Sequence, residues 1–188
     1  MQLRPDYPIK TPRLRLRPLR PEDTPALLAY RGNAEVCRFL PFEPMDEAVL
    51  AQRLAGDFAR TALTGEAQAL TLGVESAESG SLIGDVVLFF HSAEHRAGEI
   101  GYVFHPEATG RGYASEACSA LLDLAFGELG LHRVIARING GNHASAKLAE
   151  RLGMRHEASH LSSLRFKGAW ADLEIYAILA EEWRLRRS

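Results

Sequence analysis

The chain has 188 residues, 46% of them hydrophobic and 24% charged, which suits one well-buried α/β domain over residues 1–188 and is short for two. Its formal net charge of −2 argues against general nucleic-acid binding. No apolar run approaches the roughly 18 residues of a membrane helix, residues 1–6 do not resemble a secretory signal and two cysteines make no disulfide framework, so we expect a cytoplasmic protein with no membrane partner.

The first half of the chain predicts a strand, three helices and two further strands. In chain order these are a strand over 13–19, helices over 24–31 and 34–39, a longer helix that begins at 45–46, and strands over 67–74 and 82–90. Asp23 is the predicted N-cap of the first helix. The predicted apolar stripe of the longer helix is Val49, Leu50, Leu54, Phe58 and Leu63.

Arginines alternate with leucines along the first predicted strand. Arg13, Arg15 and Arg17 flank two leucines, and Arg20 follows. This alternation is typical of a half-buried strand with a solvated basic face. The same arginines could also receive an acidic partner or a phosphate, so two interpretations stay open.

The second half of the chain alternates strands and helices before it ends in two strands. The predicted elements are a strand over 98–104, a glycine-rich turn, a helix over 113–129, a strand over 133–138, a helix over 143–152, and strands over 156–166 and 172–180. Asn142 is the predicted cap of the second helix, and Gly153 is its stop. Together the elements predict an α/β (α+β) fold with a mixed, mostly antiparallel sheet of about six to seven strands flanked by helices.

The turn before the helix over 113–129 is the most informative segment. It places Gly110 and Gly112 between a strand and the start of a helix. Backbone N–H groups and the positive end of a helix dipole converge at such a point, where an anion can bind. Glycines also let the backbone approach a phosphate without an intervening Cβ. The other interpretation of these glycines is an ordinary turn.

Two familiar phosphate-binding loops do not fit this turn. A nucleoside-triphosphate loop requires two glycines five apart followed by Lys and then Ser or Thr, and the chain has no such run. A dinucleotide loop requires a third glycine where Ser115 stands, and an acidic residue at the end of the next strand, where Asn139 stands. The pyrophosphate of coenzyme A is the third candidate.

The turn and three further blocks resemble the GNAT acetyltransferase superfamily. Residues 109–114, Thr-Gly-Arg-Gly-Tyr-Ala, are similar to its Gln/Arg-x-x-Gly-x-Gly/Ala loop, with Thr in place of the usual Gln or Arg. The other blocks resemble its RimJ/RimL-type branch: residues 11–18 with Asp23, the Asn-x-x-Ser of 142–145 with Leu-Gly-Met at 152–154, and residues 168–172 with Tyr176. The resemblance covers nearly the whole chain. It implies the acyl-CoA N-acyltransferase fold, whose sheet splays between the strands predicted over 98–104 and 133–138 and admits the pantetheine arm.

The resemblance also implies a reaction and a coenzyme site. The reaction is transfer of an acetyl group from acetyl-CoA to a primary amine by direct attack on the thioester, without a metal. A backbone N–H near Tyr102 to Phe104 is expected to stabilise the thioester oxygen. The expected coenzyme-binding residues are Tyr102, Val103, Phe104, Thr109, Gly110, Arg111, Gly112, Tyr113, Ala114, Asn142 and Ser145.

Two residues are candidates for acid–base chemistry through the same resemblance. Glu99 is either the general base for the amine or a carboxylate that ties neighbouring loops together. Ser145 is either the proton donor to the departing thiolate or a helix residue whose hydroxyl bonds to the backbone. Ala149 stands where many members of the superfamily carry a tyrosine.

The amine acceptor is predicted only by class. Deprotonating a lysine, with a usual pKa of about 10.4, costs about 3.5 kcal/mol more than deprotonating an α-amine of pKa about 7.8. A site with only weak candidates for a general base and a general acid therefore favours, as the acceptor, a protein N-terminal α-amine or a small, amino-acid-like amine. Candidate lining residues of the acceptor pocket are Phe39, Phe42, His91 and Trp170.

Other assignments stay open at this point. The chain could be a CoA-binding module without turnover, or could use succinyl-CoA if Arg137 or Arg155 lies near the acyl end. A homodimer is compatible with the sequence. The histidine pairs at 91/95 and 156/160 are four residues apart, but neither lies on a convincing helix, so we predict no metal site.

Overall fold

Eight strands form one mixed sheet in this computed structural model, which describes residues 1–187. The strands are β1 (Ile9–Lys10), β2 (Leu14–Pro18), β3 (Gln68–Ser76), β4 (Leu82–Ser92), β5 (Ala97–Phe104), β6 (Arg133–Asn139), β7 (Arg155–Phe166) and β8 (Ala169–Leu179). Their order is β1-β2-β3-β4-β5-β6-β8-β7, and every pair is antiparallel except β5–β6. The predicted sheet is confirmed, with the two-residue β1 as an additional strand.

Six α-helices flank the sheet. They are α1 (Thr24–Arg31), α2 (Ala34–Cys37), α3 (Glu47–Ala55), α4 (Tyr113–Asp123), α5 (His143–Arg151) and α6 (Ala180–Arg187). A π-helical turn, Leu124–Glu128, extends α4. None of the helices within residues 1–187 is long and apolar enough to cross a membrane.

Two predictions about the first helices are wrong in part. Asp23 occupies the N-cap position of α1 as predicted, but its side chain does not cap the helix, because its carboxylate pairs with Arg17 and accepts the N–H of Arg20. The longer helix, α3, ends at Ala55 because the backbone of Gly56 leaves the helical region, at φ −113° and ψ −115°. The predicted stripe therefore breaks: Phe58 lies in a 3-10 turn, Leu63 pairs with Leu3, and Val49 is 40% exposed.

The basic face of β2 is largely paired with carboxylates. Arg15 and Arg17 both bind Glu75, and Arg17 also forms two hydrogen bonds with Asp23. Arg13 pairs with Glu116 at the start of α4. The strand predicted from the alternation is confirmed, and these pairs neutralise much of its charge.

Apolar side chains pack on both faces of the sheet. The larger cluster includes Leu72, Leu88 and Ile100 with Leu121 of α4, and the smaller one joins α1 and α3 to Val103. Because successive side chains of a strand point to opposite faces, Glu99 and Gly101 share the face of Val103, whereas Ile100 and Tyr102 face α4.

The sheet is open between β5 and β6. Only Ala97, Gly98 and Glu99 pair with β6, opposite Arg133 to Ile135. β5 continues to Phe104 and β6 to Asn139 without further pairing to each other. The predicted splay therefore lies between these two strands, as expected.

Candidate active site

A cavity of about 360 Å³ opens where β5 and β6 diverge. Its lining includes residues 99–103 of β5 and residues 136–139 of β6, with Asn142 and Ser145 beside them. Phe39 and Phe42, two of the residues predicted for the acceptor pocket, also line it from the segment between α2 and α3. Trp170 does not, since its side chain is 62% exposed on the β7–β8 hairpin.

β5 directs unpaired backbone groups into this opening. The N–H of His105 donates to the carbonyl of Ile83 at 2.9 Å, on the β4 side. Because N–H groups alternate between the two edges of a strand, those of Tyr102 and Phe104 point away from β4. In the described part of the chain neither residue has a partner in β6. Both N–H groups can therefore donate to an oxygen placed between the strands, in the region predicted for a thioester.

A second group of free donors lies at the start of α4. Gly110 and Gly112 adopt left-handed φ values of +80° and +79°, which turn the chain sharply into the helix. The N–H of Thr109 donates to the carbonyl of Pro106, and the N–H of Glu116 donates to the carbonyl of Gly112. Within residues 1–187, the N–H groups of residues 110–115, which lie between them, have no protein acceptor. No atom lies within 4 Å of a Cβ built on Gly110. An anion can approach this turn, which we call the cradle (residues 109–115).

Glu116 anchors the cradle to the start of the sheet. Its carboxylate accepts hydrogen bonds from Thr11 Oγ1 at 2.5 Å, the N–H of Arg13 at 2.9 Å and Arg13 Nε at 2.7 Å. Arg13 also donates to the carbonyl of Arg111 at 2.9 Å and stacks on the Tyr113 ring. The acidic residue in the first turn of α4 is thus turned away from the free N–H groups and fixes the loop that carries them.

Tyr102 and Ser145 connect the two sides of the opening. The Tyr102 hydroxyl donates to the carbonyl of Ser145 at 3.2 Å. Burial raises the pKa of Tyr102 well above its usual range, so the phenol stays protonated and remains a donor. Asn142 accepts the N–H of Ser145 at 3.1 Å, which confirms the predicted cap of α5. The Ser145 hydroxyl itself has no hydrogen-bond partner within residues 1–187, so the structure does not support the interpretation that the backbone satisfies it.

Glu99 lines the cavity on the face opposite Tyr102. Its side chain is 17% exposed, and one oxygen lies 3.0 Å from Nε2 of His91, whose side chain is 45% exposed. His91 was expected beside the acceptor and instead contacts this carboxylate. Of the two arginines considered for an acyl group, Arg137 lines the cavity, whereas Arg155 pairs with Glu157 and Glu182 outside it.

Residues 13–155 match the family model of the acetyltransferase (GNAT) domain. The chain belongs to the GNAT acetyltransferases. It is similar to YnaD, an uncharacterized N-acetyltransferase of Bacillus subtilis (strain 168), with 33% identity over 178 residues, 93% of this chain and 98% of YnaD.

Two solved GNAT structures show the same architecture. A GNAT-family acetyltransferase from Bacillus anthracis has 30% identity and a TM-score of 0.83, covering 93% of this chain and 99% of its own. RimL, a ribosomal L7/L12 alpha-N-protein acetyltransferase in complex with coenzyme A, has a TM-score of 0.78 at 17% identity, covering 93% of this chain and 98% of its own. At that identity the second likeness concerns the fold.

Sequence reasoning missed a buried ion pair in this GNAT domain. Arg31, at the end of α1, binds Asp85 of β4 through Nε at 2.8 Å and Nη2 at 2.5 Å, and Tyr30 donates to the same carboxylate at 2.8 Å. Asp85 is fully buried, and both charged residues line the cavity. The available signal was a single carboxylate within the apolar run of 82–90.

Replacing Glu116 with Gln should destabilise the protein in a pH-dependent way. Burial raises the pKa of Glu116, but the hydrogen bonds from Thr11 and Arg13 outweigh it and hold the pKa below 4.5. A depressed folded-state pKa gives stability that is complete above the unfolded pKa and lost as the pH falls through the folded one. In urea unfolding, we expect Glu116→Gln to lower the free energy of unfolding by about 1–3 kcal/mol at pH 7. The difference from the unmodified protein should shrink below about pH 4.

The exposed Glu107, which forms no ion pair within residues 1–187, provides the control. Glu107→Gln should leave the free energy of unfolding unchanged at pH 7 and at pH 3. A Glu116→Gln difference that is the same at pH 7 and pH 3 would contradict the role given to its charge.

Proposed function

We propose that this protein is an acetyl-CoA-dependent N-acetyltransferase of the RimJ/RimL type. Its acceptor is a primary amine, either a protein N-terminal α-amine or a small, amino-acid-like amine. One observation carries the proposal: β5 leads from a cavity with free N–H groups, through a short 3-10 turn, to the cradle, whose donors also lack acceptors within residues 1–187. The Asn-x-x-Ser residues of that branch, Asn142 and Ser145, lie at the same opening.

The residues at the opening fit coenzyme A. The N–H groups of the cradle would hold its pyrophosphate at the N-terminus of α4. Asn142 and Ser145 would lie beside the pantetheine arm, between β5 and α5. Acetyl-CoA supplies an acetyl group as a thioester, and the amine attacks its carbonyl carbon.

Backbone and side-chain donors would act at the two ends of the thioester. The N–H of Tyr102 would donate to the oxygen on which negative charge develops. The Ser145 hydroxyl, which is half-buried and has no other acceptor in the described chain, would hydrogen-bond to the departing sulfur and pass it a proton that solvent replaces on the hydroxyl. The Tyr102–Ser145 hydrogen bond holds these two donors in a fixed relation. Since a thiol has a usual pKa of about 8.5, a weak donor is sufficient.

Glu99 would take the proton of the amine. Its contact with His91 orients the carboxylate and leaves the second oxygen for the amine. Because His91 is partly exposed, this contact also connects the buried carboxylate with solvent.

Glu99→Gln should lower kcat about 10²–10⁴-fold, because the amide cannot accept the proton of the amine. The loss should diminish at high pH, where more of the amine is already neutral. Thiol release from acetyl-CoA with a panel of amines measures the rate, and KM for acetyl-CoA should stay unchanged. Glu94→Gln, at an exposed position of the β4–β5 turn, is the matched control. An unchanged rate in Glu99→Gln would make Glu99 a structural residue.

Gly112→Ala should weaken coenzyme binding about tenfold, because an L-residue at φ +79° costs roughly 1–2 kcal/mol and the turn can relax only by moving its N–H groups. Isothermal calorimetry with CoA and acetyl-CoA measures the affinity. Gly127→Ala is the control, since no atom lies within 4 Å of its built Cβ and its φ is not positive. If the unmodified protein binds neither compound, the proposed function falls. Binding without thiol release from any amine would leave a CoA-binding module.

A further inference from the structure

The cavity has a second polar end, formed by residues of α1 and β4. In the β4–β5 ladder Asp85 lies opposite Val103, and Phe89 lies opposite Glu99. The four residue-to-residue steps from Asp85 to Phe89 span about 13 Å at roughly 3.3 Å per step. Since Asp85 and Glu99 both line the cavity, the Arg31–Asp85 pair and Glu99 mark its two ends.

The Arg31 guanidinium is held in one orientation. Two of its nitrogens bind Asp85, and its side chain is 5% exposed. The rings of Phe42 and Phe58 lie 5.0 and 4.9 Å from its central carbon. Bidentate pairing and aromatic stacking together fix the direction of the remaining nitrogen, Nη1.

Nη1 of Arg31 has no protein acceptor. Within residues 1–187 the side chain donates only through Nε and Nη2. Among the side chains of residues 1–187, Arg60 Nε is the one fully buried nitrogen or oxygen that lacks a hydrogen-bond partner. Since Nη1 of Arg31 also lacks a partner, it is not fully buried and is accessible from the cavity that Arg31 lines. The nearly buried guanidinium therefore presents an unused donor to this space.

The charge balance indicates which acceptor this donor suits. Asp85 already compensates the charge of Arg31, and a second carboxylate beside Asp85 would be repelled. The lining also includes the apolar Phe39, Phe42, Phe58 and Val87, and the Arg53 and Asp57 that line it form an ion pair with each other. A neutral carbonyl or hydroxyl oxygen meets both conditions.

We infer that Arg31 is a specificity-determining residue for a small amine whose apolar body carries a neutral carbonyl or hydroxyl oxygen. The oxygen binds Arg31 Nη1, and the amine nitrogen lies at the Glu99 end of the cavity. This inference rests on the proposed function, because it names the acceptor of the same site.

Three amines of equal chain length test the inference: hexylamine, 6-aminohexanamide and 6-aminohexanoate. The unmodified protein should acetylate the amide with kcat/KM about tenfold above that of hexylamine, and the carboxylate should show no such gain. In Arg31→Lys, which keeps a cation beside Asp85 but loses the planar fork, the ratio of amide to alkylamine should fall to about one. An equal ratio in the two proteins would overturn the inference, and preference for the carboxylate would replace it with an anion site.

Arg17→Lys is the matched control, because Arg17 also binds a carboxylate through two hydrogen bonds, to Asp23, away from this cavity. Arg17→Lys should retain the tenfold ratio of kcat/KM for the amide to that for hexylamine. This result would show that the change in Arg31→Lys comes from lost recognition of the amide and not from the loss of any paired arginine. Thermal melting reports whether each variant folds.

A second measurement needs neither turnover nor the variant. The amide product, 6-acetamidohexanamide, should raise the melting temperature of the unmodified protein more than N-hexylacetamide does. Equal shifts would contradict the inference. Acetyl transfer to none of the three amines, together with a larger shift from the amide, would keep the Arg31 site and reject the proposed function at these amines.

Discussion

The early end of pairing between β5 and β6 is the constraint on which the site depends. After three paired residues the two strands separate, and the N–H groups of Tyr102 and Phe104 face a space without a strand partner. Backbone donors left unpaired away from water cost free energy comparable to a lost hydrogen bond. The chain continues from this strand through a 3-10 turn, Pro106–Ala108, to the cradle, where further donors are free. The strand and the cradle thus supply two sets of donors a few residues apart, which suits an extended ligand with an acceptor at each end.

The closed end of this gap requires equally specific packing. A Cβ built on Gly98 would lie 2.7 Å from the side chain of Leu131 and 2.7 Å from the carbonyl of Phe89. Glycine therefore permits close approach where the strands still pair. At the open end, Tyr102 spans to the carbonyl of Ser145 and holds α5 at a fixed separation. The gap is accordingly a packed feature with two defined ends, and the donors beside it keep their positions before a ligand arrives.

Local signals in the sequence predicted the helices and strands, but they did not predict the contacts between residues far apart in the chain. α1 matches its predicted range residue for residue, and Asn142 caps α5, because helix periodicity and capping operate within a few residues. The Arg31–Asp85 pair joins residues 54 apart, and the Arg13–Glu116 pair joins residues 103 apart. No spacing rule relates such partners, so the anchored cradle and the second end of the cavity became visible only in the folded chain. The resemblance of residues 109–114 supplied the coenzyme hypothesis, and the structure supplied the free donors behind it.

The buried ion pair of Arg31 and Asp85 needs a reason other than stability. Removing two charges from water is costly, and well-packed apolar residues of similar size are often as stabilising as a buried pair. The hydrogen-bonding capacity of the pair is also not fully used: Tyr30 and Arg31 satisfy the carboxylate, while within residues 1–187 one guanidinium nitrogen has no protein acceptor. The pair fixes a hydrogen-bond donor beside apolar side chains and neutralises its charge. A ligand without an acceptor for that donor leaves it unpaired and binds less tightly, so the site discriminates between ligands. On this view the acyl-transfer chemistry resides at the open strands, and the choice of amine is made at the Arg31–Asp85 pair, on the α1 and β4 side of the same cavity.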